Sequence, residues 1–533
     1  MYNMKYALAY DIGTTGVKTC LFEIGDTIKL LSDANEGYEL YIMPDGGAVQ
    51  DPDEWWEAMK NTTKAVFSKT DIKPEQVDGI SFCSQAQGLV LVNKEGRHIR
   101  RAFSYMDQRA RKEQKELMDH GFLHQIAGAS LPKLLVSLAK TGAVAASVKD
   151  PVFKYNWVKN NESDNFEKVY KWLDVKEALI VRMTDKFVMT EDSAFGTLLF
   201  DIHKKTWSPE VCKILKVNMD HLPEIVKSTD AVGGLTAKAA EELGLAEGTP
   251  VFGGGMDASL IGVGAGAVNN NETHVYMGTS GGVSTVVDKS IVDASAMIAA
   301  VVGARPGYYN YFAELETAGK CLEWVKNHLA LDEIGIYLKK TDVAEDMESK
   351  YTNLYQYLSS VIEQVPAGSN GVLFTPWLHG NRCPFEDPNV RGMFYNLSIE
   401  TGKSEMIRAV VEGVCMHMRW MLETHEKKTK TSNVIRFVGG GALNDSTSQI
   451  LADCTGRVVE TVASPQNVGA VGAAVVVAVG LGVIDSIADA NKLIDAEKRF
   501  EPNKANKPVY DKMFAAYKEI YAANKKIFKM LNE

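Results

Sequence analysis

The sequence predicts an α/β fold built twice over, and three observations carry that prediction. Residues 4–10 are an apolar run that ends at Asp11-Ile12-Gly13-Thr14-Thr15-Gly16 and resumes over 17–22, and the same strand, Gly/Thr turn, strand order returns at 273–277, 278–282 and 283–287. In both halves these strands are followed by segments of helical period, the alternation of an α/β domain. Between the halves lies TPVFGGGMDASLIGVGAGAV, residues 249–268, whose six glycines and three alanines surround a single acid, Asp257. One unit recurring in this way marks an internal duplication.

The first half opens on strands at 4–10, 17–22 and 28–32. Asp51-Pro52-Asp53 starts a helix over 55–67, with proline near the first turn and acids at the positive end of the dipole. Residues 77–83 and 89–92 are strands flanking Ser84-Gln85-Ala86-Gln87-Gly88, a loop that sets two amides beside a strand end, where polar ligands are often bound. Met106-Asp107-Gln108-Arg109 leads into a polar helix over 110–118. His120 and His124 share a helical spacing but lack a third ligand, so they read as surface histidines. Two helical patterns fall within 153–182, and short helices fit 208–215 and 237–245.

In the second half the third strand is 308–312, followed by helices at 315–329 and 353–364 and a strand at 372–375. A long helix over 404–425 precedes a strand at 434–438, which ends in Gly439-Gly440-Gly441-Ala442 and leads into a helix over 446–454. The apolar run 468–484 falls short of a spanning length and is rich in Gly, Ala and Val, which predicts a buried helix. Tyr510, Met513, Tyr517, Tyr521 and Phe528 share one stripe of a docked terminal helix.

Composition removes several function classes. At 533 residues the chain exceeds one hydrophobic core, so at least two domains are expected. A formal net charge of −10 opposes a nucleic-acid partner, whose phosphates demand clustered Lys and Arg. Seven scattered cysteines with no C-x-x-C pair read as reduced thiols, and no basic segment followed by an apolar core opens the chain, so a cytoplasmic protein away from membranes is expected.

The chemistry begins with Asp257. A lone carboxylate among such small residues either caps the helix 258–263 or is functional, because an unpaired buried charge is costly. The turns at 13–16, 278–282 and 439–442 each follow a strand and aim backbone N–H groups and hydroxyls into a small volume, as a phosphate requires. A plain turn explains any one of them; three in two similar halves point to a polyphosphate held from both sides of a cleft. Asp11 borders the first turn, and two carboxylates beside a triphosphate can divide the labour, one orienting Mg²⁺ through water and the other taking a proton. Other motifs fall away. Thr401-Gly402-Lys403-Ser404 lacks the first glycine of a Walker A loop, at Leu397. Residues 262–267 lead towards a strand where a dinucleotide fingerprint opens a helix. Residues 278–282 fit the letters of a nucleophile elbow, yet a strand follows.

In ordered motifs across nearly its whole length the chain resembles the FGGY carbohydrate kinases, and within them the xylulokinase-like members. The resemblance rests on Asp11-Ile12-Gly13-Thr14-Thr15-Gly16-Val17-Lys18, Gln50-Asp51-Pro52 with Trp55-Trp56, Asp107-Gln108-Arg109, and Gly196-Thr197 with Phe200-Asp201. It continues through Gly253-Gly254-Gly255 with Asp257, Gly278-Thr279-Ser280, Gly380-Asn381-Arg382, and Gly439-Gly440-Gly441-Ala442 with Gln449 and Asp453. It implies two ribonuclease-H-like domains of the actin/hexokinase type around a central cleft, 1–266 with the sugar site and 267–533 with ATP. Asp257 is then the general base, and Asp11 with Asp257 the Mg²⁺ ligands. Gly13, Thr14, Thr15, Lys18, Gly278, Thr279 and Ser280 meet the phosphates, and Gly440, Gly441, Ala442 and Asn444 the nucleotide. Gln85, Gln87, Asp107, Arg109 and Asp257 bind the sugar.

The implied activity is ATP-dependent phosphorylation of a ketopentose such as xylulose by a cytoplasmic enzyme that can be a homodimer. Departures bear on the sugar: Gln85-Ala86-Gln87-Gly88 stands where xylulokinases carry Gln-Met-His-Gly, Ala258 follows the base where Asn or Gln is usual, and Asn467 replaces a Glu. Ribulose, gluconate, erythritol and glycerol are the alternative substrates. A non-catalytic nucleotide-binding protein of the actin or chaperone type is the competing class.

Overall fold

The computed structural model describes residues 4–118, 125–126, 129–330 and 354–532. His120 and His124 lie outside the described residues.

The first half is organised on β1 (Lys5–Ile12), β2 (Gly16–Ile24), β3 (Ile28–Gly37), β4 (Gly79–Ser84) and β5 (Pro250–Phe252), side by side in the order β5-β4-β1-β2-β3. β1, β2 and β3 pair antiparallel, whereas β4 runs parallel to both β1 and β5. The second half repeats the plan with β6 (Thr273–Met277), β7 (Gly281–Val287), β8 (Tyr309–Leu315), β9 (Val434–Val438) and β10 (Val458–Val462), in the order β8-β7-β6-β9-β10. Its pairings match strand for strand: β6–β7 and β7–β8 antiparallel, β6–β9 and β9–β10 parallel. The duplication read from two Gly/Thr turns is therefore a duplication of whole sheets. β1 reads as an unbroken apolar run because Ala7, Leu8, Ala9 and Tyr10 are buried, covered on both faces.

Helix α1 (Pro52–Phe67) is capped by Asp51, which accepts from the Asp53 amide at 3.1 Å, and it buries Trp55 and Trp56. The Asp257 stretch becomes α2 (Asp257–Gly264). Further helices are α3 (Lys403–His425), α4 (Asp445–Thr455), α5 (Val468–Gly480) and α6 (Lys507–Asn532). α5 is buried from Val468 through Ala478 and packs both on α2 and against β1 and β4. A helix of the second half thus forms part of the first half's core. Glycines make this possible: a Cβ on Gly264 would lie 1.9 Å from the Val468 carbonyl oxygen, and one on Gly472 would lie 2.3 Å from that of Leu260. The α6 stripe docks as expected, with Tyr510, Met513, Tyr517 and Phe528 buried in the second core.

One boundary differs in a way that matters for the site. The segment 315–329 is not helical throughout, because β8 runs on through Leu315 and the helix begins only at Gly319. The link folds back on the second Gly/Thr turn, where the Gly319 amide donates to the Gly278 carbonyl at 2.8 Å and the Ala318 and Lys320 amides both donate to Thr279 at 3.2 Å.

Candidate active site

Asp257 is the first residue of α2, placed where β4 and the turn of residues 253–256 meet the second half. Its Oδ1 accepts from the adjacent Ala258 amide at 2.6 Å, and Met256 occupies the cap position. The residue as a whole is half-buried. Burial pushes the Asp257 carboxyl up to about 7; the Ala258 amide opposes this, while the negative charges of Asp11, Glu314 and Asp192 add to it. Asp11, near the end of β1, is also raised by burial, opposed by the Lys18 ammonium across the hairpin and by the Cys83 thiol on β4. The first turn of α5 lies on this pair: a Cβ on Gly469 would come within 2.8 Å of both Asp11 Oδ2 and Cys83 Sγ.

The three expected phosphate turns converge. The first is shaped by the Gly13 amide donating to Gly16 at 2.9 Å and by the Tyr38 hydroxyl donating to the Gly13 and Gly16 carbonyls at 2.5 and 3.0 Å. These bonds leave the Thr14 and Thr15 side chains on the outer rim, Thr15 exposed. Lys18 Nζ crosses to the second half and donates to the Gln466 carbonyl at 2.8 Å. The neighbouring Pro465 carbonyl accepts from Gly439 at 2.7 Å, tying in the third turn. Gly439, at φ +91°, lies so close to β6 that a Cβ would meet the Met277 oxygen at 2.5 Å. In the second turn Thr279 is exposed and Gly278 and Ser280 half-buried.

The third turn does not open straight into a helix. Gly440–Leu443 form a 3₁₀ turn, and Asn444 then caps α4, its Oδ1 accepting from Thr447 at 3.0 Å. Gly440 keeps open surface and Leu443 is exposed, whereas Gly441, Ala442 and Asn444 are buried.

Among the residues expected to bind the sugar, the Gln85 amide turns inward: Nε2 donates to the Gly13 carbonyl at 3.0 Å and to Gln50 Oε1 at 2.9 Å, and so braces the first Gly/Thr turn. Its Oε1 is buried without a partner among the described residues. Gln87 has φ +60°, its amide held by Asp174 at 3.0 Å, and stands beside Gly196 and Met256. Asp107 and Arg109 are committed to each other. Arg109 Nη2 donates to Asp107 Oδ2 at 2.7 Å, the Ala48 amide takes the same oxygen at 2.8 Å, and the guanidinium lies 4.8 and 4.7 Å from the Phe103 and Trp157 ring centres.

Two contributors escape sequence reasoning. Tyr105 is exposed, with its hydroxyl near the Thr14 side chain and in the field of Glu314 and Asp257. Glu314, at the end of β8, pairs with Arg382 at 2.5 Å and faces Asp257 from the second half. The Met-Asp-Gln-Arg motif flagged the neighbourhood of Tyr105; nothing local flagged Glu314.

The family model described as the FGGY family of carbohydrate kinases, N-terminal domain, matches residues 6–264, and its C-terminal counterpart matches residues 274–481. Xylulose kinase of Bacillus subtilis is 28% identical over 532 residues, covering 98% of each chain. Among solved structures, the ligand-bound xylulose kinase from Lactobacillus acidophilus superposes with a TM-score of 0.83 at 26% identity, covering 99% of this chain and all of that one. The gluconate kinase from the same organism gives 0.82 at 26% identity with equal coverage.

Proposed function

The chain belongs to the FGGY family of carbohydrate kinases, and from that premise we propose that it transfers the γ-phosphoryl group of ATP to a neutral ketopentose of the xylulose type, with Asp257 as general base. One observation carries the assignment. Asp257 has one oxygen engaged by its own helix, a proton affinity matched to neutral pH, and the charges of Asp11 from the first half and Glu314 from the second acting on it. The acceptor hydroxyl gives its proton to Asp257, its oxygen attacks phosphorus, and the bond to ADP breaks with the electron pair leaving on the β-phosphate. Such a transfer needs positioning and charge neutralisation more than covalent help.

Asp11 and Asp257 fit Mg²⁺: they are hard oxygen donors whose charges oppose each other, with Lys18 the cation beside Asp11. They would hold the ion, which when bound neutralises charge on the β- and γ-phosphates. Gly13, Thr14, Thr15, Lys18, Gly278, Thr279 and Ser280 line the polyphosphate path. Gly440 and Leu443 offer an open face to the adenosine, with Gly441, Ala442 and Asn444 as its buried support.

The acceptor class follows from charge. Asp11, Asp257, Asp192 and Glu314 crowd the site, and Arg382 is spent on Glu314, so a carboxylate-bearing sugar acid is repelled where a neutral polyol is not. The relatives named xylulose kinase support the same choice. Of the expected sugar residues Gln85, Gln87, Asp107, Arg109 and Asp257, the bonds of Gln85, Asp107 and Arg109 to protein groups support a role in holding the walls, which leaves Gln87, with Tyr105 beside it in our reading, to meet the sugar. ADP release measured over xylulose, ribulose, gluconate, erythritol and glycerol tests the reading. Xylulose is expected to lead gluconate by roughly tenfold or more in kcat/KM, about 1.4 kcal/mol; a preference for gluconate overturns it.

A further inference from the structure

Tyr276 stands on β6, opposite Gly282 of β7 and Val438 of β9. Its ring packs against the cluster between the two halves, which includes Cys83, Leu260, Val263, Val468 and Val471. From there the side chain lies along the neck of the second phosphate turn. A Cβ on Gly278 would fall 2.0 Å from the Tyr276 hydroxyl and 2.4 Å from Cζ, so glycine at 278 is what lets the phenol occupy this place. The ionisable groups acting on the hydroxyl are Asp11, Asp257 and Cys83. Tyr10, Tyr155, Tyr510 and Tyr517 spend their hydroxyls on Thr63, His221, Glu412 and His417. The Tyr276 hydroxyl has no such hydrogen-bond partner among the described residues.

We propose that Tyr276 is a catalytic residue supplied by the second half, its hydroxyl donating a hydrogen bond to the phosphoryl group in transfer between the Gly278 turn and the Asp11–Asp257 pair. The inference rests on the kinase reading above. A phenol keeps its proton at neutral pH and so can only be a donor to an anion lodged there. Charge in phosphoryl transfer spreads over the equatorial oxygens, and a fixed donor aimed at that charge acts more strongly on the transition state than on bound ATP. Val438 and Gly282 leave the ring no polar alternative across the sheet.

Tyr276→Phe keeps the ring and removes only the donor. The expected result is a kcat lower by about ten- to a hundredfold, with xylulose KM and ADP affinity within about twofold and the thermal midpoint unchanged. A kcat within about twofold of the unsubstituted enzyme overturns the proposal. So does a variant in which melting temperature and ADP affinity fall together with kcat, because the phenol would then be part of the packing alone. Failure of the unsubstituted enzyme to release ADP with any sugar would instead remove the kinase reading, and the role of Tyr276 with it.

Discussion

Asp192 accepts the backbone N–H of Met256 at 2.7 Å, and so fixes the residue immediately before Asp257. The same oxygen takes the Ser259 hydroxyl one turn into α2. Its other oxygen accepts from the Ser193 amide at 2.9 Å and the Thr190 hydroxyl at 2.5 Å, and buried Lys176 braces both of those residues, at 2.7 and 2.6 Å. Asp257 is thereby held through Met256 on one side and Ser259 on the other. Asp192→Asn replaces one acceptor with a donor facing the Met256 N–H and removes a negative charge that raises Asp257. The expected outcome is a kcat roughly tenfold lower, the size of one misplaced charge-assisted bond of about 1.4 kcal/mol, with the acidic limb of the pH–rate profile moved to lower pH. An unmoved limb would separate Asp192 from the base.

To act as the proposed base Asp257 must be ionised, and burial first, then its acidic neighbours, place its carboxyl at about 7. Below its own value the protonated, inactive form dominates; above it the rate levels. In the enzyme free of Mg²⁺ and nucleotide the Asp257 carboxyl should take up its proton at about 7, and with Mg²⁺ and ATP bound beside it the acidic limb of log kcat/KM for the sugar should keep a slope approaching 1 and lie below 7. Metal-free proton uptake between pH about 5 and 8 that is the same in Asp257→Ala as in the unsubstituted enzyme contradicts the assignment.

Arg109 neutralises Asp107, which is fully buried. Arg109→Ala strands that carboxylate and empties the space between Phe103 and Trp157, for an expected loss of about 3–5 kcal/mol in denaturant unfolding. Arg109→Lys keeps the charge but not the forked contact and should fall between. A loss below about 1 kcal/mol for the alanine variant would mean the pair is not the brace its geometry describes.

Acid should weaken the second half through its buried histidines. His417 lies between the Cys383 carbonyl at 2.7 Å and the Tyr517 hydroxyl at 3.0 Å, and burial pushes it down to about 4 from an ordinary 6.5. As pH falls below 6.5 the unfolded chain takes up a proton that the folded chain refuses. Stability is therefore full above 6.5 and is lost steadily towards 4, by roughly 3 kcal/mol for this group. His417→Gln should flatten that dependence in thermal melts, and an unchanged slope would assign the acid lability elsewhere.

Much of this architecture is written locally. Strand–Gly/Thr turn–strand units fix β1–β2 and β6–β7, because only tight turns of small residues close such hairpins. Asp51-Pro52 starts α1, and the Gly/Ala/Val run of α5 can only be interior. The junction at Asp257 was legible for the same reason, its small residues being demanded by the α2–α5 contact through Gly264 and Gly472. Other features depend on partners far along the chain. The helix after β8 starts late because residues 318–320 are captured by the Gly278 turn, a contact that no window around 315 contains. The inward turn of the Gln85 amide is decided by Gly13 and Gln50, and the role of Asp192 by a backbone N–H 64 residues away. Glu314 and Tyr276 reach the site only when the second sheet closes on the first.

We propose above that Asp257 takes the proton of the acceptor hydroxyl in ATP-dependent sugar phosphorylation. The most direct test is sugar-dependent ADP release by Asp257→Ala beside its ADP affinity. Removing a general base should lower kcat by about 10²–10⁴-fold, with ADP bound within about threefold of the unsubstituted enzyme. A variant that binds ADP normally and still turns over xylulose within about tenfold would show that Asp257 is not the base.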